Sequence, residues 1–370
     1  PRLFRQLQAL PVAAQQLLAQ SERDSLQLGP DWMQALESNV FTPASDGASP
    51  GPEAIYAVLL RNDEALAVWP LSVQKDGPRR VEALANYYCA ITGPVLQPWC
   101  KPHHLEVLVR YVAKTVPQAH VLRLQPLDPN RHATQAMRAA LRLAGYAVYE
   151  YFAFFNWVWF GPPDWKAYFA QRSANLRSTA RRSAKRLAEA GGRIEIITEP
   201  QDVDRGMAAY ESVYARSWKQ PEPYPRFFRD IAAAAASRGR LRLGVAWLND
   251  VAIAAQFWTV AHGVVEIHKL AYDEDHKALG AGTALSAAMF ERALHDDQAH
   301  TIDYLIGDDS YKASWMNVRQ QRWGLVAGLV HTPRGAWLAL MEGLRRLARP
   351  LLRIKNGSTA PTMATPTARM

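Results

Sequence analysis

Three β-branched and aromatic runs, 240–247, 251–260 and 264–272, follow one another, separated by short turns at Asn249-Asp250 and His262-Gly263. Two-residue turns of this type join antiparallel neighbours, so the runs form a meander. No crossover helix separates them, which rules out a parallel, doubly wound sheet. After the meander comes Lys277-Ala-Leu-Gly280-Ala-Gly282-Thr283, then an Ala-rich helix over 283–295, a short buried strand over 301–306 and a second helix over 308–317. This order, three strands, loop, helix, strand, helix, constrains the fold more than any other feature of the chain.

The loop itself is built for an anion. Glycines at 280 and 282 let the backbone approach a ligand closely, and the helix that follows offers unpaired N–H groups and the positive end of its dipole. A strand-to-helix turn alone would also carry two glycines, so the neighbouring sequence has to decide.

Lys277-x-x-Gly280-x-Gly282 resembles the Arg/Gln-x-x-Gly-x-Gly/Ala loop of GNAT acyltransferases, with Lys where Arg or Gln is usual. Ile302-Asp-Tyr-Leu-Ile-Gly307-Asp-Asp-Ser-Tyr311-Lys312-Ala-Ser-Trp315 resembles the D-F-x-x-G-x-x-x-Y-K-x-x-W signature of the FemAB-like type, a group that includes proteins of cellulose and exopolysaccharide biosynthesis. Trp165-Lys-Ala-Tyr168, Leu176-Arg177 and the basic stretch to Gly191-Gly192 resemble the segment that opens that family's catalytic half. The matches occur in the family's order and span 160–329, about half of the chain.

The resemblance implies an α/β (α+β) architecture of two tandem GNAT-like lobes, each a mixed, mostly antiparallel sheet flanked by helices. The first half fits a degenerate copy, with a hairpin about Asn62-Asp63-Glu64, a short strand at 81–84, helices at 103–116 and 131–143, and strands at 120–125 and 146–157. It has no phosphate loop, since Thr92-Gly93-Pro94 and Pro98 stand in its place. The expected divisions are a first lobe over 1–160, a catalytic lobe over 161–335, a helix over 336–355 and a disordered tail over 356–370. A Pro/Gly/Ser-rich surface loop is expected over 42–53.

The implied activity is N-acyl transfer from acyl-coenzyme A, acetyl-coenzyme A in the simplest case, to the amine of an amino sugar, amino acid or related envelope intermediate. Lys277, Leu279, Gly280, Ala281, Gly282 and Thr283 would hold the pyrophosphate, and splayed N–H groups from Leu270 to Tyr272 would bind the pantetheine and polarise the carbonyl. Glu266 and His268, two apart on the strand before the loop, share a face; that face is taken as the cleft, with Lys269 and Val265 opposite, so either residue is a candidate base. Tyr311 matches the tyrosine that protonates the departing thiolate, and Lys312 would contact a phosphate or the oxyanion. Trp218 matches an Arg-Trp position on the helix that walls the acceptor site, and Arg177, Arg181 and Asp308 are further acceptor contacts. Asp303 would orient a neighbour or cap a turn.

Composition adds bounds. The 370 residues are 49% hydrophobic with a net charge of +9, enough for two packed lobes. Seven basic residues crowd 172–193, and on a helix Arg177, Arg181 and Lys185 form an i, i+4 stripe opposite Leu176, Ala180, Ala184 and Leu187. Such a stripe is a solvated face, a steering surface for an anionic donor, or a contact for the acceptor arm of tRNA; the last would suit an aminoacyl-tRNA-dependent Fem-type transferase. A third reading is a non-catalytic binding protein of a polysaccharide system, which the intact glycine loop argues against. Cys89 and Cys100 fit buried thiols in a reducing compartment, and with no run long enough for a membrane span and no secretory leader a cytoplasmic setting is expected. No metal is expected: His103 and His104, although followed by Glu106, are adjacent on a helix and point in different directions, and Ser310 lacks a nucleophile elbow.

Overall fold

The computed structural model describes residues 1–41, 52–74 and 79–355. Most of the loop expected over 42–53, and all of the tail expected to be disordered over 356–370, lie outside the described residues.

One order of elements occurs twice. The first pass is β1 (Arg2–Phe4), α1 (Val12–Ser21), α2 (Pro30–Asn39), β2 (Glu53–Arg61), β3 (Glu64–Val73), β4 (Val81–Ala83), the two-residue β5 (Val95–Leu96), α3 (Pro102–Thr115), β6 (Val121–Leu127), α4 (His132–Leu143) and β7 (Tyr146–Phe160). Helices α5 (Trp165–Ala170) and α6 (Ala174–Glu189) lead into the second. It comprises β8 (Arg193–Ile197), α7 (Val203–Ala215), α8 (Pro225–Ser237), β9 (Leu241–Leu248), β10 (Val251–Ala261), β11 (Val264–Tyr272), α9 (Ala281–His295), β12 (Thr301–Asp303), α10 (Ser310–Trp315) and β13 (Val318–Leu329). Helix α11 (Pro333–Lys355) follows. Leaving out β5, each pass reads β-α-α-β-β-β-α-β-α-β.

The repeat extends to turn chemistry. Asn62-Asp63 joins β2 to β3 and Asn249-Asp250 joins β9 to β10, with φ of 48° and 63° in the first and 48° and 60° in the second. Positive φ at both centres is the hairpin geometry that matches strand twist, and Asn and Asp tolerate it better than other side-chain-bearing residues. His262-Gly263, at 50° and 74°, closes the β10–β11 hairpin in the same way.

The strands form one sheet in the order β1-β2-β3-β4-β6-β13-β7-β12-β11-β10-β9-β8. Read inward from either edge, five strands of one pass are followed by the last strand of the other. The lobes have exchanged their final strands: β13 pairs antiparallel with β6, and β7 with β12. β7 and β13 also pair with each other, from Tyr146 opposite Leu329 to Val158 opposite Val318. Thus β13, inside the range expected for the catalytic lobe, completes the sheet of the first.

Core packing also crosses residue 160. One cluster joins α1 and α2 of the first pass to α7 and α8 of the second. Within it Trp32 meets the Phe227 ring edge-on at 5.0 Å. The apolar stripe of α8, Phe227, Phe228, Ile231 and Ala235, has the spacing this docking needs. A second cluster lies under α3 and α4, and a third buries α9 against β10, β11, α5 and α6. Cys89 and Cys100 are buried free thiols. Among the described residues no helix is long and apolar enough to cross a membrane.

Candidate active site

The site forms where two parallel strands part. β11 and β12 pair only from Val264 opposite Thr301 to Glu266 opposite Asp303. β12 then stops, because Asp303 turns the chain by accepting the Leu305 N–H at 2.6 Å, and Leu305 and Gly307 take positive φ. β11 continues to Tyr272, so its edge from Ile267 onward faces no partner strand. Alternate N–H groups there, on the side away from β10, face no partner strand.

Beside this edge stands the start of α9. Asp273 caps a 3-10 turn over Glu274–Leu279 by accepting the Asp275 N–H at 3.0 Å, and Arg216 clamps Asp273 at 2.7 Å. Gly280 follows with φ +70°, the left-handed region, and a Cβ there would lie 2.3 Å from Ser183 Oγ of α6. Only glycine meets both demands. Gly282 has no such constraint; a Cβ would sit 3.5 Å from the Tyr272 ring. Gln256 of β10 fastens the first turn of α9, donating to Gly282 O at 3.2 Å and to Ser286 Oγ at 2.8 Å. The Ala281 and Gly282 N–H groups bond no backbone acceptor, leaving the donors that suit a helix start to an anion. A cavity of about 540 Å³ runs along these groups, lined by Leu270, Tyr272, Lys277, Gly280 to Thr283, Trp218 and Tyr311. Leu279 packs against the core beneath.

A second cavity, of about 520 Å³, opens on the other face of β11 and shares Trp218, Leu270 and Tyr311 with the first. Its walls carry Lys219, Lys269 and Lys312 with Tyr87 and Tyr88 of the first lobe. Glu222 accepts from Lys269 Nζ at 2.6 Å and from the hydroxyls of Tyr87, at 2.8 Å, and Tyr88. Lys269 Nζ also lies 4.6 Å from the Tyr88 ring centroid. Lys219 stands against the Tyr214 and Trp218 rings, and burial, with Lys269 nearby, pushes its ammonium down to about 8.

The expected residues fall into three groups. Tyr311 sits where the cavities meet, 42% exposed, and surrounding protein, then Asp309, holds its phenol in the protonated form. Lys312 is buried; its Nζ donates to Ile306 O at 2.5 Å and lies 3.4 Å from Asp309, so it props the turn after β12. Trp218 lies in the loop after α7, not on a helix, since α7 ends at Ala215; its ring packs on Tyr272 at 4.6 Å.

Neither Glu266 nor His268 lines the first cavity; His268 lines the second, and Glu266 lines a different cavity altogether. His268 stacks on Trp32 at 5.2 Å and bonds Thr259 Oγ1 at 2.8 Å; burial, then Lys269, drives its imidazole down to about 3. Glu266 takes the Ser25 hydroxyl, and burial, reinforced by Asp303, raises it to about 8. Strict alternation also fails here. The register slips so that Ile267 faces Trp258 while Lys269 faces Phe257, and the extra residue, His268, brings Lys269 onto the face it shares with His268. Lys269 was expected on the opposite side.

The remaining acceptor candidates lie elsewhere. Arg177 donates to the Ala170 and Arg172 carbonyls, and with Arg181 it borders a shallow hollow formed by Trp165 and Phe169 on the outer side of α6. Asp308 is held by Arg319 and by Trp157 Nε1 at 3.0 Å. From α6 it is Ser183 and Arg186 that approach the glycine loop. The wall of the second cavity, Tyr87, Tyr88 and Lys219, with Glu222 bonded behind it, has no motif spacing, because its members come from separate loops of both lobes. Among the described residues no cluster could hold a metal ion.

Residues 174–313 match the acetyltransferase (GNAT) domain family model. No curated protein matches the chain by sequence. Solved structures share its fold over most of its length. FemX aligns with a TM-score of 0.62 at 11% identity, covering 92% of this chain and all of FemX. The C-terminal domain of a lysylphosphatidylglycerol synthetase from Agrobacterium fabrum gives 0.54 at 12%, covering 90% and 95%. A conserved protein from Bacteroides thetaiotaomicron gives 0.56 at 12%, covering 86% and 97%.

Proposed function

Because the chain carries a GNAT acetyltransferase domain within a fold shared with FemX, we propose that its second lobe transfers an acyl group from acyl-coenzyme A to an amine held between the lobes. One observation carries this reading: the left-handed Gly280 turn and the unpaired N–H groups of α9 stand beside the open edge of β11, along one cavity. The donor's pyrophosphate would rest on Gly280 to Thr283, with Lys277 exposed at the rim, and the pantetheine would extend β11 along Leu270 to Tyr272. The thioester would then lie near Tyr311, where the acceptor cavity opens. Lys219, about half neutral near pH 8, is the group there best suited to take the amine's proton; free N–H groups of β11 stabilise the developing oxyanion, and the Tyr311 hydroxyl protonates the thiolate. Lys312 positions the turn that carries Tyr311.

Calorimetry with Gly282→Asp tests the donor site. A Cβ at 282 meets only ordinary contact, 3.5 Å from the Tyr272 ring, and the carboxylate places a negative charge against phosphate oxygens, so coenzyme A affinity should fall by more than tenfold in protein that keeps its melting temperature within a few degrees. Wild-type affinity in that variant removes the loop from donor binding.

A second reading, an aminoacyl-tRNA donor, draws on the hollow beside α6, where Trp165 stacks on Phe169 at 4.6 Å and Arg181 lies 5.8 Å from the Phe169 ring centroid. Aromatic faces beside arginines suit a stacked base and its phosphate.

A further inference from the structure

A cavity of about 660 Å³, larger than either arm of the candidate active site, lies between the first pass and strands of the second. The repeat explains its position. The acceptor cavity is walled by the α7–α8 loop, through Trp218 and Lys219, and by the start of α10. This one is walled by the corresponding α1–α2 loop, through Arg23, Asp24 and Ser25, and by the start of α4, through Arg131 and His132. Glu266, Asp303 and Arg322 reach it from the second pass.

Two of these groups, one from each lobe, have unfilled hydrogen-bonding capacity. Glu266 is 4% exposed; one carboxyl oxygen takes the Ser25 hydroxyl, and the other has no hydrogen-bond partner. His268 Nε2 lies 3.8 Å from that oxygen but is engaged with Thr259. Arg131 gives one terminal nitrogen to Asp24 at 2.8 Å, while the other is buried and unbonded. Neighbouring charges are satisfied: Asp303 accepts from Asn156 and the Leu305 N–H, and Arg322 donates to Ala90 O at 3.2 Å. Glu266 and Arg131 both line the cavity, and each holds a shut-off polar atom with no hydrogen-bond partner, which is costly; one molecule carrying a cation and an anion relieves both once each side chain turns toward the cavity.

We propose that this cavity binds a free α-amino acid, its ammonium on Glu266 and its carboxylate on Arg131. The site is separate from the acyl-transfer cleft and does not depend on coenzyme A. Burial keeps Glu266 protonated near neutrality, and an arriving ammonium ionises it, so the charge is created only in the complex.

The test is calorimetry of the full chain, without coenzyme A, against the twenty free amino acids, with propylamine and propionate as half-ligands. At least one amino acid should bind saturably. Glu266→Gln, which can still accept the Ser25 hydrogen bond, should weaken that binding at least tenfold, as should Arg131→Gln. Propylamine binding should respond to the first variant alone, and propionate binding to the second alone. No saturable binding by any amino acid, or affinity undiminished in either folded variant, overturns the proposal. If Arg131→Gln fails to fold, judged by its melting curve, the amino-acid affinity of Glu266→Gln decides alone.

Discussion

Tyr311 and Lys219 face each other's chemistry across the junction of two cavities, one a protonated phenol and the other an amine near neutrality. Tyr311→Phe keeps the ring against Tyr304, 5.7 Å away, and removes the proton donor. With chemistry rate-limiting, kcat should fall roughly 10²–10⁴-fold with little change in donor affinity. An unchanged kcat would leave Tyr311 a packing role only. If Lys219 takes the amine's proton it does so in its neutral form, so kcat/KM should rise with pH through about 8 and then level off. Lys219→Met should abolish that ascending limb; a variant with the same pH profile assigns the proton to another group. Lys219 and Tyr311 differ in how they could be read from sequence. Tyr311 is visible because it sits at fixed spacing from Gly307 and Trp315, whereas Lys219 gains its character from burial beside Tyr214 and Lys269, which no spacing records.

At the level of elements, α6 separates charge from contact. Its apolar side, Leu176, Ala180 and Leu187, is buried, while Arg181 and Lys185 are exposed and Lys185 lies 3.6 Å from Glu189. Replacing Arg181 and Lys185 by Gln should therefore change stability by no more than about 1 kcal/mol, whereas adding Arg177→Gln also removes its bonds to the Ala170 and Arg172 carbonyls and should cost about 1–3 kcal/mol more. If tRNA binds this face, log affinity against log salt should flatten by about two to three units in the triple variant. Coenzyme A binding should hardly respond, because the donor cavity touches α6 through Asn175, Leu176 and Thr179 rather than the stripe. The meander, its turns and the glycine loop were legible in the sequence because each is local: alternation, paired positive-φ residues, and a helix start. The bulge at His268 was not, since it depends on the register that β10 imposes, and one inserted residue reversed the face assigned to Lys269. The opening β-α-α of each pass escaped for a related reason. β1 is three residues long and owes its strand state to pairing with β2, not to its own pattern.

For the whole molecule, exchanged strands and a core shared by α1, α2, α7 and α8 make each lobe part of the other. Heat or denaturant should produce one transition, with calorimetric and van't Hoff enthalpies in agreement; two resolved transitions would mean the lobes are energetically separate. Trp32, buried between α2 and α8, sits in that shared core, and Trp32→Ala should lower stability by about 3–5 kcal/mol while both lobes still melt together. The exchange also imposes an order on synthesis. When β7 leaves the ribosome, the first lobe still lacks the strand that belongs beside β6, and β13 ends at Leu329, 169 residues beyond Phe160. At about 5–20 residues per second that interval is on the order of ten seconds or more. For that time the inner edges of β6 and β7 wait for partners that the ribosome has not yet made, and it is there that a half-made chain is exposed to mispairing.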